Sequence, residues 1–203
     1  MQTTNYRKDL KQLYHASSQH AGLIRVPEMQ FLMIDGEGDP NTSQYFQAAM
    51  EALFSLSYTL KFMIKRGGQQ IDYKVLPLEG LWWTDDMANF SEEDKDDWQW
   101  TVMIMQPEYV TPVLVDEARE QVKQKKDPVA LSQVRFESYT EGQSAQIMHI
   151  GPFSEEGPTI EKLHRFIREQ GLDLRGKHHE IYLSDIRRAA PENWKTILRQ
   201  PVM

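Results

Sequence analysis

The chain has 203 residues, 40% of them apolar and 26% charged, with 23 basic against 30 acidic side chains and a net charge of −7. That composition is ordinary for a globular protein and is enough chain to bury a core, as one large domain or two small ones. It argues against a nucleic-acid-binding surface, which needs clustered Lys and Arg. The absence of cysteine removes disulfides, a thiolate nucleophile and any cysteine-built metal site. No run of 18 apolar residues occurs, and the N-terminus lacks the apolar stretch of an export signal, so a cytoplasmic protein with no membrane segment is expected.

Residues 1 to 22 read as an appended helix and loop, within an N-terminal extension over 1 to 26. From Met29, "MQFLMIDGEGDPNTS" has a short apolar strand pattern that ends in Gly and Pro. The run after it places Phe46, Met50, Leu53, Ser57 and Leu60 at three- and four-residue steps, the stripe of an amphipathic helix. Ser43 or Thr42 suits its N-cap, and Gly67-Gly68 stops it. "DYKVLPLEGLWW" and "WQWTVMIM" then read as strands. "TPVLVDEAREQVKQKKDP" reads as a helix whose basic "KQKK" end suits both solvent and the macrodipole, with Asp127-Pro128 as a hinge.

The same order then returns. "SAQIMHIGPFSEEGPT" is a strand ending in Gly-Pro. "IEKLHRFIREQG" is a helix with Ile160, Leu163, Phe166 and Ile167 on its apolar face and Gly171 as its stop. "HHEIYLSD" and "WKTILRQPV" supply two further strands. Laid together, "MIDG" at 33 to 36 matches "MHIG" at 148 to 151, and "LEGLW" at 78 to 82 matches "HEIYL" at 179 to 183, which makes Glu79 and Glu180 equivalent. The expected fold is α+β: duplicated strand-helix-strand-strand (SH2-like) repeats with pseudo-twofold symmetry, about 27 to 127 and 128 to 203. Antiparallel sheets would carry helices on one side. Such internal pairing is compatible with a monomer.

Several residues stand out chemically. Glu180 sits in an apolar strand, an expensive place for a carboxylate without a purpose or a partner. Tyr182, two residues on, emerges on the same strand face. By the same parity Trp83 shares a face with Glu79, and Trp82 points the other way unless the strand has ended by then, so either indole is a candidate to face a ligand. Four of the five tryptophans, Trp82, Trp83, Trp98 and Trp100, fall within one short stretch. With Phe90 and Tyr109 they offer flat faces for stacking and for cations, although clustered indoles also serve cores. The acidic run "SEEDKDD" at 91 to 97 would favour neutral or cationic ligands. His178 and His179 point to opposite strand faces and no H-E-x-x-H spacing occurs, so no metal site is expected. There is no G-x-S-x-G elbow, phosphate loop or dinucleotide fingerprint, and no cofactor is expected.

The duplicated order, "IMHIGPFSEEGPTIEKL", and "HEIYLSD" followed by "WKTILRQPV" resemble the GyrI-like small-molecule-binding domain, the ligand-sensing module of several multidrug-responsive activators. The resemblance spans about residues 27 to 202 and implies a ligand cleft between the repeats, with Glu180 in it. "PLEGLWW" is similar to the stand-alone branch of that family, some of whose members look like cyclopropanoid cyclohexadienone hydrolases. The 28 residues before Met29 are too few for a winged helix, so a DNA-binding regulator is not expected. Opening a cyclopropane conjugated to a dienone restores an aromatic phenol, and needs a placed water and help for the developing phenolate. Glu180 is the candidate base and Tyr182 the candidate donor to the substrate oxygen. Glu79, Trp82, Trp83, Trp100, Phe90 and Tyr109 are the candidate ligand contacts. A non-catalytic multidrug binder and a protein-interaction adaptor of the gyrase-inhibitor kind are the alternatives.

Overall fold

The computed structural model describes residues 2–4, 10–68, 70–85 and 95–203. Among these, strands β1 (Gln2–Thr4), β2 (Gly22–Glu37), β3 (Ile71–Tyr73), β4 (Glu79–Trp83) and β5 (Gln99–Gln106) precede β6 (Arg135–Ile150), β7 (His178–Tyr182) and β8 (Lys195–Pro201). The helices are α1 (Gln44–Arg66), α2 (Pro112–Lys125) and α3 (Gly157–Glu169). No helix among the described residues is long and apolar enough to cross a membrane.

The helices follow their local signals. Ser43 caps α1, its hydroxyl accepting from the Phe46 N–H at 3.1 Å, and the Gly67 N–H closes the other end on the Met63 carbonyl. The buried stripe includes Phe46, Leu53, Ser57 and Leu60, with Met50 half-buried beside it. Thr111 caps α2, Pro112 opens it, and Lys123 and Lys125 occupy its last turn. In α3, Leu163 and Ile167 are fully buried, and Ile160 and Phe166 pack beside them.

Three expectations change. β2 begins at Gly22 rather than Met29. "DYKVLPLEGLWW" is not one strand but two, β3 and β4, with Pro77 in the gap between them, where it has no N–H to give a ladder. Of residues 1 to 22, expected as a helix and loop, Gln2–Thr4 is a strand pairing in parallel with β3 and Leu10 to Leu13 forms a turn, while the expected helix at 5–9 lies outside the described residues. Both segments are shaped by partners distant in sequence, which periodicity does not register.

The chain folds as two compact units. The first comprises residues within Met1–Asp9, Met29–Leu76 and Lys95–Tyr139. In it β2 pairs antiparallel with β5, Gly36 opposite Trp100, and α1 packs on β5 and α2. A Cβ at Gly36 would lie 2.2 Å from the Trp100 ring, so this position is glycine to admit the indole.

The second unit comprises residues within Leu10–Glu28, Pro77–Asp94 and Thr140–Met203. Its strands pair antiparallel, β4 with β7, β7 with β8 and β8 with β6. Helix α3 covers one sheet face through a core of Ala145, Ile147, Leu163, Ile167, Leu198 and Val202. The units cut across the halves read from the sequence: β4 pairs with β7, and the unit boundaries fall inside β2 and β6. The architecture is thus mixed α/β with mainly antiparallel pairing.

Candidate functional site

The two site strands are β4 and β7, and their register decides which side chains share a face. Gly80 lies opposite Glu180 and Trp82 opposite His178, while Glu79 faces Ile181 and Leu81 faces His179. Side chains alternate along a strand, so Trp82, His178, Glu180 and Tyr182 gather on one face, and Glu79, Trp83 and His179 on the other. Glu180 also lies opposite Leu198 of β8, so the first of these faces is the one α3 covers.

On that face the Tyr182 hydroxyl donates to Glu180 Oε2 at 2.7 Å, and Trp82 Nε1–H donates to the Tyr182 oxygen at 3.1 Å. His178 Nε2 stands 3.4 Å from Glu180 Oε1, longer than a usual hydrogen bond. Trp82 is 2% exposed and Glu180 9%, so the carboxylate is nearly withdrawn from water but still reachable. Gly80 explains how the indole gets there: a Cβ at this position would sit 2.7 Å from Trp82 Nε1. The "EG" of "PLEGLWW" clears the path by which Trp82 reaches Tyr182.

The segment between β6 and α3 completes the surroundings. Phe153 meets Tyr182 edge-on at 5.6 Å and lies against Trp194 at 5.0 Å. Glu156, at the start of α3, is buried. Burial first, then the charge of Glu180 and more weakly that of Glu156, raises the Tyr182 phenol well above its usual range, and it stays protonated at neutral pH. Burial, then the charges of His178 and Arg168, pushes His164 of α3 down to about 4, leaving it neutral. Among the described residues no group of three or more His, Asp or Glu is arranged to hold a metal ion.

The remaining sequence candidates have the following surroundings. Glu79 does not present its carboxylate to a ligand surface: it is fully buried, with Oε1 accepting from Tyr14 and Oε2 held 3.0 Å from His179 Nε2. Trp83 is half-buried with Lys177 Nζ 3.2 Å from its ring centroid. Trp100 offers no open wall either: it is fully buried in the first unit, its ring 5.1 Å from Phe46 and 5.9 Å from Tyr45. Tyr109 is in the first unit too, edge-on to Tyr73 at 5.7 Å. Phe90 lies outside the described residues.

Sequence reasoning passed over His178, Phe153, Glu156 and Trp194 as site neighbours. His178 was within reach, since it shares the parity of Glu180 and Tyr182. The other three arrive through the turn into α3 and the approach to β8, and no spacing in the chain announces them.

No curated protein matches the chain. Among solved structures, an uncharacterized conserved protein from Listeria innocua is 40% identical, with a TM-score of 0.91 over 98% of this chain and 99% of that one. A crystal structure of a hydrolase from Listeria innocua is also 40% identical, with a TM-score of 0.85 over 98% of this chain and 99% of that one. Another hydrolase structure from the same organism is 40% identical, with a TM-score of 0.88 over the whole of both chains. The profile of the GyrI-like small-molecule-binding domain matches residues 23–203, and the chain belongs to that family.

Proposed function

We propose that the protein is a hydrolase for planar, hydrophobic or cationic small molecules, which opens the cyclopropane ring of cyclopropanoid cyclohexadienones by adding water and so protects the cell from alkylating compounds of that class. The observation that carries this reading is the Glu180–Tyr182 pair, bonded at 2.7 Å on a face nearly closed to water and flanked by Trp82 and Phe153. Membership of a small-molecule-binding family and 40% identity to proteins described as hydrolases support it.

In the proposed reaction Glu180 accepts a proton from a water whose oxygen bonds to the ring methylene. The cyclopropane C–C bond breaks and its electron pair passes through the dienone to the carbonyl oxygen, which becomes a phenolate. Tyr182 gives its proton to that oxygen and recovers one from Glu180 along their hydrogen bond, so the sum is substrate plus water to phenol. Trp82 holds the Tyr182 oxygen in place, and the ring of Phe153 supplies a flat contact.

The duplicated plan belongs to the same proposal. Its support is the order of elements, with β2, α1, β4 and β5 followed by β6, α3, β7 and β8.

The test is incubation with a cyclopropane-fused cyclohexadienone, following the phenol by absorbance and the gain of one water by mass. Wild type turns the compound over, and Glu180→Gln loses roughly a hundredfold or more. Recovery of intact compound after long incubation, with tryptophan fluorescence quenched, would leave binding alone as the function.

A further inference from the structure

The reverse face of β4, β7 and β8 holds a closed polar network. His179 Nε2 is 3.0 Å from Glu79 Oε2, and its Nδ1 is 3.0 Å from Glu141 Oε1. Arg199 donates to Glu141 Oε2 and to Gln146 Oε1, each at 3.1 Å. Glu79, Glu141, His179 and Arg199 are each at most 2% exposed. An imidazole with a carboxylate oxygen at each nitrogen is satisfied only when both nitrogens carry protons. The network therefore balances two cations against two anions, with nothing left over to drive it into water.

One side of this network comes from a segment remote in sequence. Tyr14 donates its hydroxyl to Glu79 at 2.8 Å. The carbonyl of Leu13 accepts from Arg199, and those of Gln12 and His15 accept from Gln146. Leu13 and Tyr14 are buried, and all four residues precede the family match, which begins at residue 23. A buried ionic network adds little stability over an apolar core of equal volume, and its best-attested use is to specify a register. Register is what the site depends on here. A slip of one residue between β4 and β7 would carry Trp82 away from Tyr182 and turn Glu79 to the face that holds Glu180.

We propose that this network sets the register of β4 on β7, that Glu79, His179 and Tyr14 are positioning residues for the Trp82–Tyr182–Glu180 arrangement, and that residues 12–15 act as a strap completing it. The catalytic consequence rests on the hydrolase reading above; the geometric consequence does not.

The test uses Tyr14→Phe and Glu79→Gln in the full chain, read by the indole N–H resonance of Trp82, assigned with Trp82→Phe, and by kinetics on the cyclopropane-fused dienone. In Glu79→Gln the Trp82 resonance moves, and kcat falls roughly ten- to a hundredfold with KM little changed, as expected for misplaced rather than missing groups. Tyr14→Phe, which deletes one oxygen, moves both in the same direction by less. If Glu79→Gln does not fold, Tyr14→Phe decides. Variants that melt at lower temperature but keep the wild-type Trp82 resonance and kcat would overturn the proposal, since the network would then only add stability. If wild type turns over no dienone, the hydrolase reading fails and the Trp82 resonance alone decides this one.

Discussion

The two faces of β4 and β7 are built from alternate residues of the same short segments, yet they treat charge in opposite ways. On the reverse face each carboxylate and cation is buried and meets a counter-charge within 3.1 Å. On the site face Glu180 has one short bond, from Tyr182, a histidine nitrogen at 3.4 Å, and some remaining exposure. A saturated network is inert and serves as a fixed frame. A carboxylate with spare acceptor capacity beside a protonated phenol is a place where water can be activated.

Arg199 and Glu180 give the sharpest way to break this contrast. Arg199→Met leaves Glu141 buried without one of its two cations, and should cost about 3–5 kcal/mol in denaturant unfolding. Glu180→Gln should cost under about 1 kcal/mol in the same experiment, because Gln still accepts from Tyr182. The kinetic order reverses, with Glu180→Gln losing roughly a hundredfold or more in turnover of the dienone. Equal stability losses in the two variants would remove the distinction between the faces.

Tyr182→Phe comes next. It removes the proposed proton donor and leaves the buried Trp82 N–H without its phenol acceptor, at about 1–3 kcal/mol by thermal or denaturant melting, together with most of the turnover.

The pH dependence of stability sharpens the account of the reverse face. Burial alone would lower the pKa of His179, but the charge and hydrogen bond of Glu141, then those of Glu79, outweigh it and raise it from 6.5 to about 9. Its contribution is therefore complete below pH 6.5 and is lost as pH rises through about 9. Burial would raise Glu141, but His179 and then Arg199 bring it from 4.5 down to about 2. That contribution is complete above pH 4.5 and is lost as pH falls through about 2. Unfolding free energies measured across this range should show the network's contribution as a plateau between pH 4.5 and 6.5 that declines on both sides. A contribution still rising towards pH 9 would contradict a charged His179.

Gly80→Ala comes last, since it removes no hydrogen bond or charge. The added methyl collides with the Trp82 indole and costs about 1–3 kcal/mol if the ring cannot yield. Tryptophan fluorescence should report the displaced indole, and an unchanged spectrum would mean that the methyl is accommodated without moving the ring.

Much of this was open to reading in advance, and the boundary is physical. The stripe and caps of α1, the apolar face of α3 and the shared parity of Glu180 and Tyr182 all follow from helical and strand periods, which depend on neighbours a few residues away. Parity also separated Trp82 from Trp83. Which of the two indoles meets Tyr182 depended on pairing across strands a hundred positions apart, and that pairing put Gly80 opposite Glu180.

The expected equivalence of Glu79 and Glu180 shows the limit most clearly, since the two carboxylates emerge on opposite faces and have unlike surroundings. Local sequence determined the helices α1, α2 and α3, and the face of its strand on which each candidate side chain emerges, because backbone geometry alone dictates those. Only the tertiary structure decided that Glu79 would be sealed by Tyr14 while Glu180 stayed within reach of water, because burial and charge balance are set by residues the chain brings together from far apart.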